Sequence, residues 1–135
     1  MKLLVYITLI GSLFAQSIDD EINEKFIKSL VDDINRQRNN AVIKRIDDSE
    51  ILNTNYSSHA EVIRVKALYN LDEVDSALIR AKAINPLNLP SNLRTSFYLI
   101  MGDIYSVKGY YDLAFQNYID ARRVNIDSRS KKTIN

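Results

Sequence analysis

Hydrophobic side chains recur along most of this chain at the spacing of three to four residues that is typical of amphipathic helices. The clearest stripe consists of Ile22, Phe26, Leu30 and Ile34. No segment alternates apolar and polar residues for long enough to indicate a β-strand. Polar runs and the few Gly and Pro residues interrupt the stripes at short intervals. The pattern therefore predicts an all-α protein with six helices.

The predicted helices cover, in order, about residues 19–38, 42–51, 57–69, 72–84, 90–108 and 111–124. Asp72 is expected to cap the fourth helix, and Pro90 to lie in the first turn of the fifth. Gly109 is expected to end the fifth helix, as glycine often does. The polar tail, residues 128–135, is expected to be frayed. Helices of roughly 12 to 20 residues with short connections predict three antiparallel hairpins.

The first residues have the pattern of a secretory signal sequence. Lys2 precedes an apolar run from Leu3 to Ala15, which ends on a small residue. That run is shorter than the roughly 20 residues that a membrane-spanning helix needs. We expect cleavage after Ala15, export to the periplasm or the medium, and no stable membrane span afterwards. An uncleaved membrane anchor and a buried core helix are the alternatives.

Composition narrows the possible chemistry. The 135 residues are 46% hydrophobic and 26% charged with a net charge of +1, which suits one small globular domain. The absence of Cys excludes disulfides, thiolate zinc sites and a catalytic thiol, and a single His excludes sites that need two imidazoles. Three Gly leave no phosphate-binding glycine loop. We therefore expect no cofactor, no metal site and no nucleic-acid partner.

The segment from residue 95 to residue 128 carries a motif. The residues that carry it are, in order, Tyr98, Met101, Gly102, Tyr105, Gly109, Tyr111, Ala114, Tyr118 and Ala121. The order and spacing resemble the tetratricopeptide repeat (TPR), a helix–turn–helix unit with the pattern W-x₂-L-G-x₂-Y…A-x₃-F. The resemblance implies that Gly102 and Ala114 let two helices approach closely while the aromatic rings fill the space beside them. Ile126 stands where the family usually has a Pro.

A weaker copy precedes this unit, at residues 55–88. Its matching residues are Leu71, Leu78, Ala81 and Pro86. Alignment of Pro86 with Ile126 gives a spacing of 40 residues, and Val74 then replaces the small Ala of the motif. Residues 16–54 carry no motif and are expected to form a divergent hairpin or a cap. The resemblance thus implies an α-solenoid of about three hairpins over residues 16–127.

In the TPR family, one face of each first helix lines a concave groove that binds peptides. The corresponding residues of this chain are Tyr56, His59, Ile63 and Lys66, followed by Ser96, Leu99, Asp103 and Ser106. Asp103 would meet a basic or amide group there, with an ordinary surface aspartate as the alternative. Asp103 would also repel a carboxylate, so a receptor for a peptide's terminal carboxylate is not expected.

These features predict a non-catalytic adaptor or scaffold of the bacterial cell envelope that binds a protein or peptide. One alternative is a homo-oligomeric structural element that assembles through an uncapped last helix, with Phe115 and Ile119 facing outward. The charge distribution is uneven, because residues 16–63 carry a net charge of −4 and residues 64–135 one of +4. A further alternative, a carboxylate-dependent hydrolase, requires two acids to converge in an apolar pocket. Its candidate acids are Asp47, Asp48, Asp103 and Asp112.

Overall fold

A computed structural model describes the backbone of residues 2–133 and the side chains of residues 12–132. Within this range the chain forms six α-helices and no β-strand. The helices are α1 (Lys2–Asn35), α2 (Asn39–Asp47), α3 (Ser57–Asn70), α4 (Val74–Lys82), α5 (Ser91–Val107) and α6 (Tyr111–Thr133). Short 3₁₀ turns at Ile51–Asn53 and Pro86–Asn88 connect α2 to α3 and α4 to α5. The prediction of an all-α chain with six helices is confirmed.

The predicted helix lengths are wrong at both extremes. Helix α1 has 34 residues and includes the apolar N-terminal run, whereas α2 and α4 have only nine residues each. Helix α4 is short because Pro86 follows it and the Asn85 side chain accepts from the Leu87 N–H, which starts a separate turn. Helix α6 continues to Thr133, so its predicted end near Val124 and the frayed tail are also wrong.

Helices α1, α3 and α5 end in the same backbone turn. Gln37, Asp72 and Gly109 adopt positive φ angles of 60°, 64° and 78°. In each turn, that residue's N–H and the following N–H bond back to the last helical carbonyls, as Tyr110 does to Tyr105 at 2.9 Å. This is the Schellman arrangement that ends many helices. Asp72 is therefore part of a helix end, and the prediction that its side chain caps α4 is wrong.

The six helices thus form three pairs, α1–α2, α3–α4 and α5–α6, which pack on one another in chain order. Helix α3 contacts both helices of the first pair, and α5 contacts both helices of the second. One apolar core lies between the first two pairs and includes Leu30, Val42 and Ala60. A second core lies between the last two pairs and includes Val65, Ala77 and Phe97. Each core therefore contains residues of two successive pairs.

The turns set the register between the pairs. The three turn residues are 35 and 37 positions apart, so the predicted spacing of 40 residues is wrong. When the three pairs are aligned on these turn residues, three sets of positions become equivalent. The sets are Leu30, Val65 and Gly102; Val42, Ala77 and Ala114; and Ile46, Ala81 and Tyr118. All of these residues are buried except Tyr118. Ala77, rather than Val74, is thus the counterpart of Ala114, and the first pair shares the buried positions although it lacks the small residues.

Gly102 provides close contact between α5 and α6. A Cβ at this residue would lie 2.7 Å from Cδ1 and 2.8 Å from Cζ of Tyr118, so the ring fills the space of the missing side chain. Ala114 and Ala121 are buried on the facing side of α6. This contact agrees with the close approach of two helices that the motif implies at Gly102. Tyr111, in contrast, is 71% exposed, so its predicted packing role is wrong.

Candidate binding groove

An apolar pocket forms where the first helices of all three pairs meet. Its volume is about 170 Å³. Its lining residues come from α1, α3 and α5 and are Val31, Ile34, Val62, Ile63, Lys66, Leu93, Ser96 and Ile100. We call this pocket the inner pocket. Because each of the three pairs contributes a helix, the pocket exists only when the pairs are stacked.

The size of the inner pocket limits its occupant. Pockets for drug-sized ligands usually have volumes of roughly 300–1,000 Å³. The inner pocket is smaller, at about 170 Å³, and all of its lining residues except Lys66 and Ser96 are aliphatic. A pocket of this size and lining has room for one or two apolar side chains.

The structure brings some of the predicted groove residues together and separates others. Ile63, Lys66 and Ser96 line the inner pocket. Leu99 does not line it and is 45% exposed, while Ser106 is half-buried nearer the end of α5. Sequence reasoning missed the aliphatic floor, which consists of Val31, Ile34, Val62, Leu93 and Ile100.

One side of the groove, at the start of α3, is acidic. The rings of Tyr56 and His59 lie 5.6 Å apart there. Burial raises the pKa of Tyr56, and the carboxylates of Asp20 and Glu24 on α1 raise it further. His59 is half-buried, its Nδ1 atom has no hydrogen-bond partner, and burial lowers its pKa. The two carboxylates of α1 make this part of the groove attractive to a positive charge.

The end of α3 faces a polar cluster that joins the second and third pairs. The Lys66 ammonium lies 5.1 Å from the centre of the Tyr69 ring. The Tyr118 hydroxyl donates a hydrogen bond of 2.8 Å to Asp103. This bond raises the pKa of Tyr118 to about 12, and burial, followed by the Asp103 charge, raises the pKa of Tyr69. Asp103 therefore positions the Tyr118 ring over Gly102, a role that the sequence did not reveal.

The candidate catalytic acids do not have the surroundings of a catalytic carboxyl. Asp47, Asp48 and Asp112 are exposed, and Asp47 forms an ion pair with the buried Arg64. A glycosidase needs one carboxyl that is held protonated in an apolar site. Within residues 12–132, no group of three or more His, Asp or Glu side chains could hold a metal ion.

A second, wider cleft lies between the start of α5 and the end of α6. Its volume is about 660 Å³. Its lining is polar and basic and consists of Ser91, Asn92, Thr95, Asn125, Ser128, Arg129, Lys131 and Lys132. Three of the five basic residues in the second half of α6, Arg129, Lys131 and Lys132, line this cleft. It has no apolar floor, and we do not assign a site to it.

In the described part of the chain, no helix is both long enough and apolar enough to cross a bilayer. A comparison of the chain with models of known protein families, with curated proteins and with solved structures finds no match.

Proposed function

We propose that this chain is a non-catalytic binding module of the TPR type whose inner pocket holds an apolar side chain of a peptide or protein partner. The single observation that carries the proposal is that first helices from all three pairs line one small apolar pocket. The packing of α3 and of α5 on both helices of the preceding pair further supports a short α-solenoid. The repeated turns and buried positions support the same interpretation.

The charges around the pocket indicate the chemistry of the partner. Asp20 and Glu24 lie close enough to Tyr56 to raise its pKa, and neither carboxylate forms an ion pair with the described residues. Lys66 is the one basic side chain that lines the pocket. We therefore propose a peptide with a Leu- or Ile-sized anchor residue and a basic residue directed towards the start of α3.

The first residues support a location in the bacterial cell envelope as part of this proposal. The apolar run from Leu3 to Ala15 after Lys2 has the length and flanks of a signal sequence. Cleavage after Ala15 would leave helix α1 with residues 16–35, which still include Leu30 of the first core and the pocket residues Val31 and Ile34. Mass spectrometry of the protein recovered from the envelope fraction would test this: a chain that starts at Gln16 supports it, and an intact N-terminus contradicts it.

Peptide binding can be measured by fluorescence anisotropy with three labelled synthetic peptides. The first has two leucines flanked by lysines, the second has the lysines replaced by glutamates, and the third has the leucines replaced by serines. We expect the first to bind most tightly, because only this peptide matches both the aliphatic floor and the acidic side of the groove. Equal binding of all three peptides, or no binding of any, would contradict the proposal.

A matched pair of variants locates the binding. Ser96→Trp places a large ring at the pocket lining, whereas Ser76→Trp places the same ring on the exposed surface of α4. We expect Ser96→Trp to weaken binding by about tenfold or more, because the ring competes for the pocket. Ser76→Trp should bind as the unaltered chain does. Equal loss in both variants would show that the peptide binds elsewhere.

A further inference from the structure

The outward face of α6 carries large apolar side chains that no other described element covers. Tyr111 is 71% exposed, Phe115 is 66% exposed and Ile126 is 53% exposed. Separations of four and eleven residues place these three side chains on one face of the helix. Isolated exposed apolar residues are common on protein surfaces, but a row along one helix face indicates a contact surface.

Equivalent positions in the other two pairs are covered. Ile43 and Leu78 correspond to Phe115 in the register of the turns, and Val74 corresponds to Tyr111. Leu78 belongs to the core between the second and third pairs, and Ile43 and Val74 pack against that core. Phe115 and Tyr111 therefore occupy packing positions that the next pair covers elsewhere in the chain. Their exposure marks the end of α6 as an open packing surface.

The N-terminal end of a second copy does not match this surface. In α3 and α5 the positions that face the preceding pair are Ala60, Ile63, Ala67, Phe97, Ile100 and Ile104. Their equivalents on α1 are Lys25, Lys28 and Asp32, all exposed. Head-to-tail stacking of copies would bury Lys28, Asp32 and the exposed ion pair between Lys25 and Glu21, which is costly. The first pair thus has a polar outer face, as the cap of a repeat array does.

The two halves of α6 match each other in charge. Residues 111–120 contain two acidic and no basic side chains, whereas residues 121–132 contain five basic and one acidic. Two copies of α6 that lie antiparallel would place each acidic half on a basic half. Such a pairing also brings Phe115 of one copy near Ile126 of the other. A two-fold axis between the copies would repeat the charge contact and the contact between Phe115 and Ile126 on each side of the axis, as in most homodimers.

We propose that α6 is a homodimer surface, on which a second copy of this chain packs its own α6 in antiparallel orientation. The occupant is a second copy because the helix complements itself in charge and in apolar residues. The surface lies on the last pair and leaves the inner pocket free, so the dimer presents two separate groove sites.

Sedimentation equilibrium of the full chain at several concentrations tests this proposal. We expect a monomer–dimer equilibrium, and we expect Phe115→Glu to raise the dissociation constant by about tenfold or more. Ile79→Glu is the matched control, since Ile79 is an exposed isoleucine on α4 outside the proposed surface. Ile18→Glu tests α1 in the same way, because Ile18 and Ile22 on that helix are also exposed. Circular dichroism of each variant checks that the helices remain folded.

The outcomes are distinct. A monomer at every concentration overturns the proposal, as does a dimer that Ile18→Glu disrupts and Phe115→Glu does not. Because the chain has no native Cys, crosslinking reports orientation. Mixed Phe115→Cys and Ile126→Cys chains should form disulfides with each other far faster than with themselves. Equal self-crosslinking would show a parallel pair and overturn the proposed arrangement. Peptide binding should survive Phe115→Glu, so failure of the dimer is distinguishable from failure of the groove.

Discussion

Replacement of Gly102 by Ala should change stability in opposite directions in two backgrounds. In the unaltered chain a Cβ at Gly102 would lie less than 3 Å from several carbons of the Tyr118 ring. Helix propensity favours Ala over Gly by about 1 kcal/mol in the middle of a helix. Forcing a methyl group into a filled space costs about 1–3 kcal/mol. If the ring swings out instead, the bond from Tyr118 to Asp103 is lost, at about 0.5–1.5 kcal/mol.

We therefore expect Gly102→Ala to destabilise the unaltered chain by about 1 kcal/mol, because the steric cost exceeds the propensity gain. In a Tyr118→Ala background the space beside Gly102 is empty. The same substitution should then stabilise the protein by about 0.5–1 kcal/mol through helix propensity alone. Urea unfolding of the four chains, followed by circular dichroism, gives the four free energies of a double-mutant cycle.

Gly109→Ala is the matched control for this cycle. Gly109 has a φ angle of +78°, and a Cβ there would contact nothing within 4 Å. Ala at this residue should cost about 1–2 kcal/mol because the left-handed conformation is unfavourable for it. That cost should be the same with and without Tyr118. If Gly102→Ala has the same sign and size in both backgrounds, the proposed contact between Gly102 and Tyr118 does not determine the packing of α5 on α6.

Three further predictions concern titration and a buried charge. Tyr118 should titrate near pH 12, and Asp103→Asn should lower the pKa of Tyr118 towards 10. The difference in tyrosinate absorbance between each chain and the same chain with Tyr118→Phe measures this pKa. Since the folded-state pKa of Tyr118 is raised, the stability that it contributes should be complete below about pH 10 and should disappear as the pH rises to about 12. The pKa of His59 is lowered from 6.5, so the unfolded chain binds the proton more readily, and stability should fall as the pH drops below 6.5. His59→Gln should flatten that dependence in thermal melts from pH 7.5 to pH 5, and an unchanged slope would contradict the burial argument. Asp47→Ala should destabilise by about 1–3 kcal/mol in urea unfolding because it leaves the buried guanidinium of Arg64 without its shortest ion pair. Arg64→Met should cost less, since an apolar side chain of similar volume needs no partner, and the reverse order would refute this reasoning.

Helix existence could be predicted from the sequence because apolar side chains recur at helical spacing, although Ile22 of the first stripe is 59% exposed. The stripe at Ile22, Phe26, Leu30 and Ile34 and the glycine at residue 109 correctly indicated a helix and a helix end. Helix ends without such signals were missed. Asp72 and Gln37 occupy the same left-handed position as Gly109, but neither residue type by itself predicts a positive φ angle. Without that signal, the register between the pairs was wrong by three residues.

The residues that line the inner pocket were harder to predict, for a physical reason. A repeat motif identifies positions by small or aromatic residues, and the first pair has Leu30, Val42 and Ile46 at the equivalent places. Side chains of different sizes fill the same space in different pairs. Where the third pair has the small Gly102 and the large Tyr118, the second pair has the medium-sized Val65 and the small Ala81. Such volume-conserving exchange preserves packing while it removes the sequence signal. The pocket also depends on three helices that are far apart in sequence, so no local pattern could reveal it.

Methyl NMR of the peptide complex tests the central claim, that the inner pocket is the binding site. The probe is the synthetic peptide with two leucines flanked by lysines, titrated into chain labelled at the isoleucine and valine methyl groups. We predict that the methyl signals of Ile34, Ile63 and Ile100 shift together and saturate at the peptide concentration that saturates the anisotropy. The methyl signals of the exposed Ile79 should not shift. Saturable shifts that are confined to Ile79 or Ile126, with the three pocket isoleucines unchanged, would contradict the account.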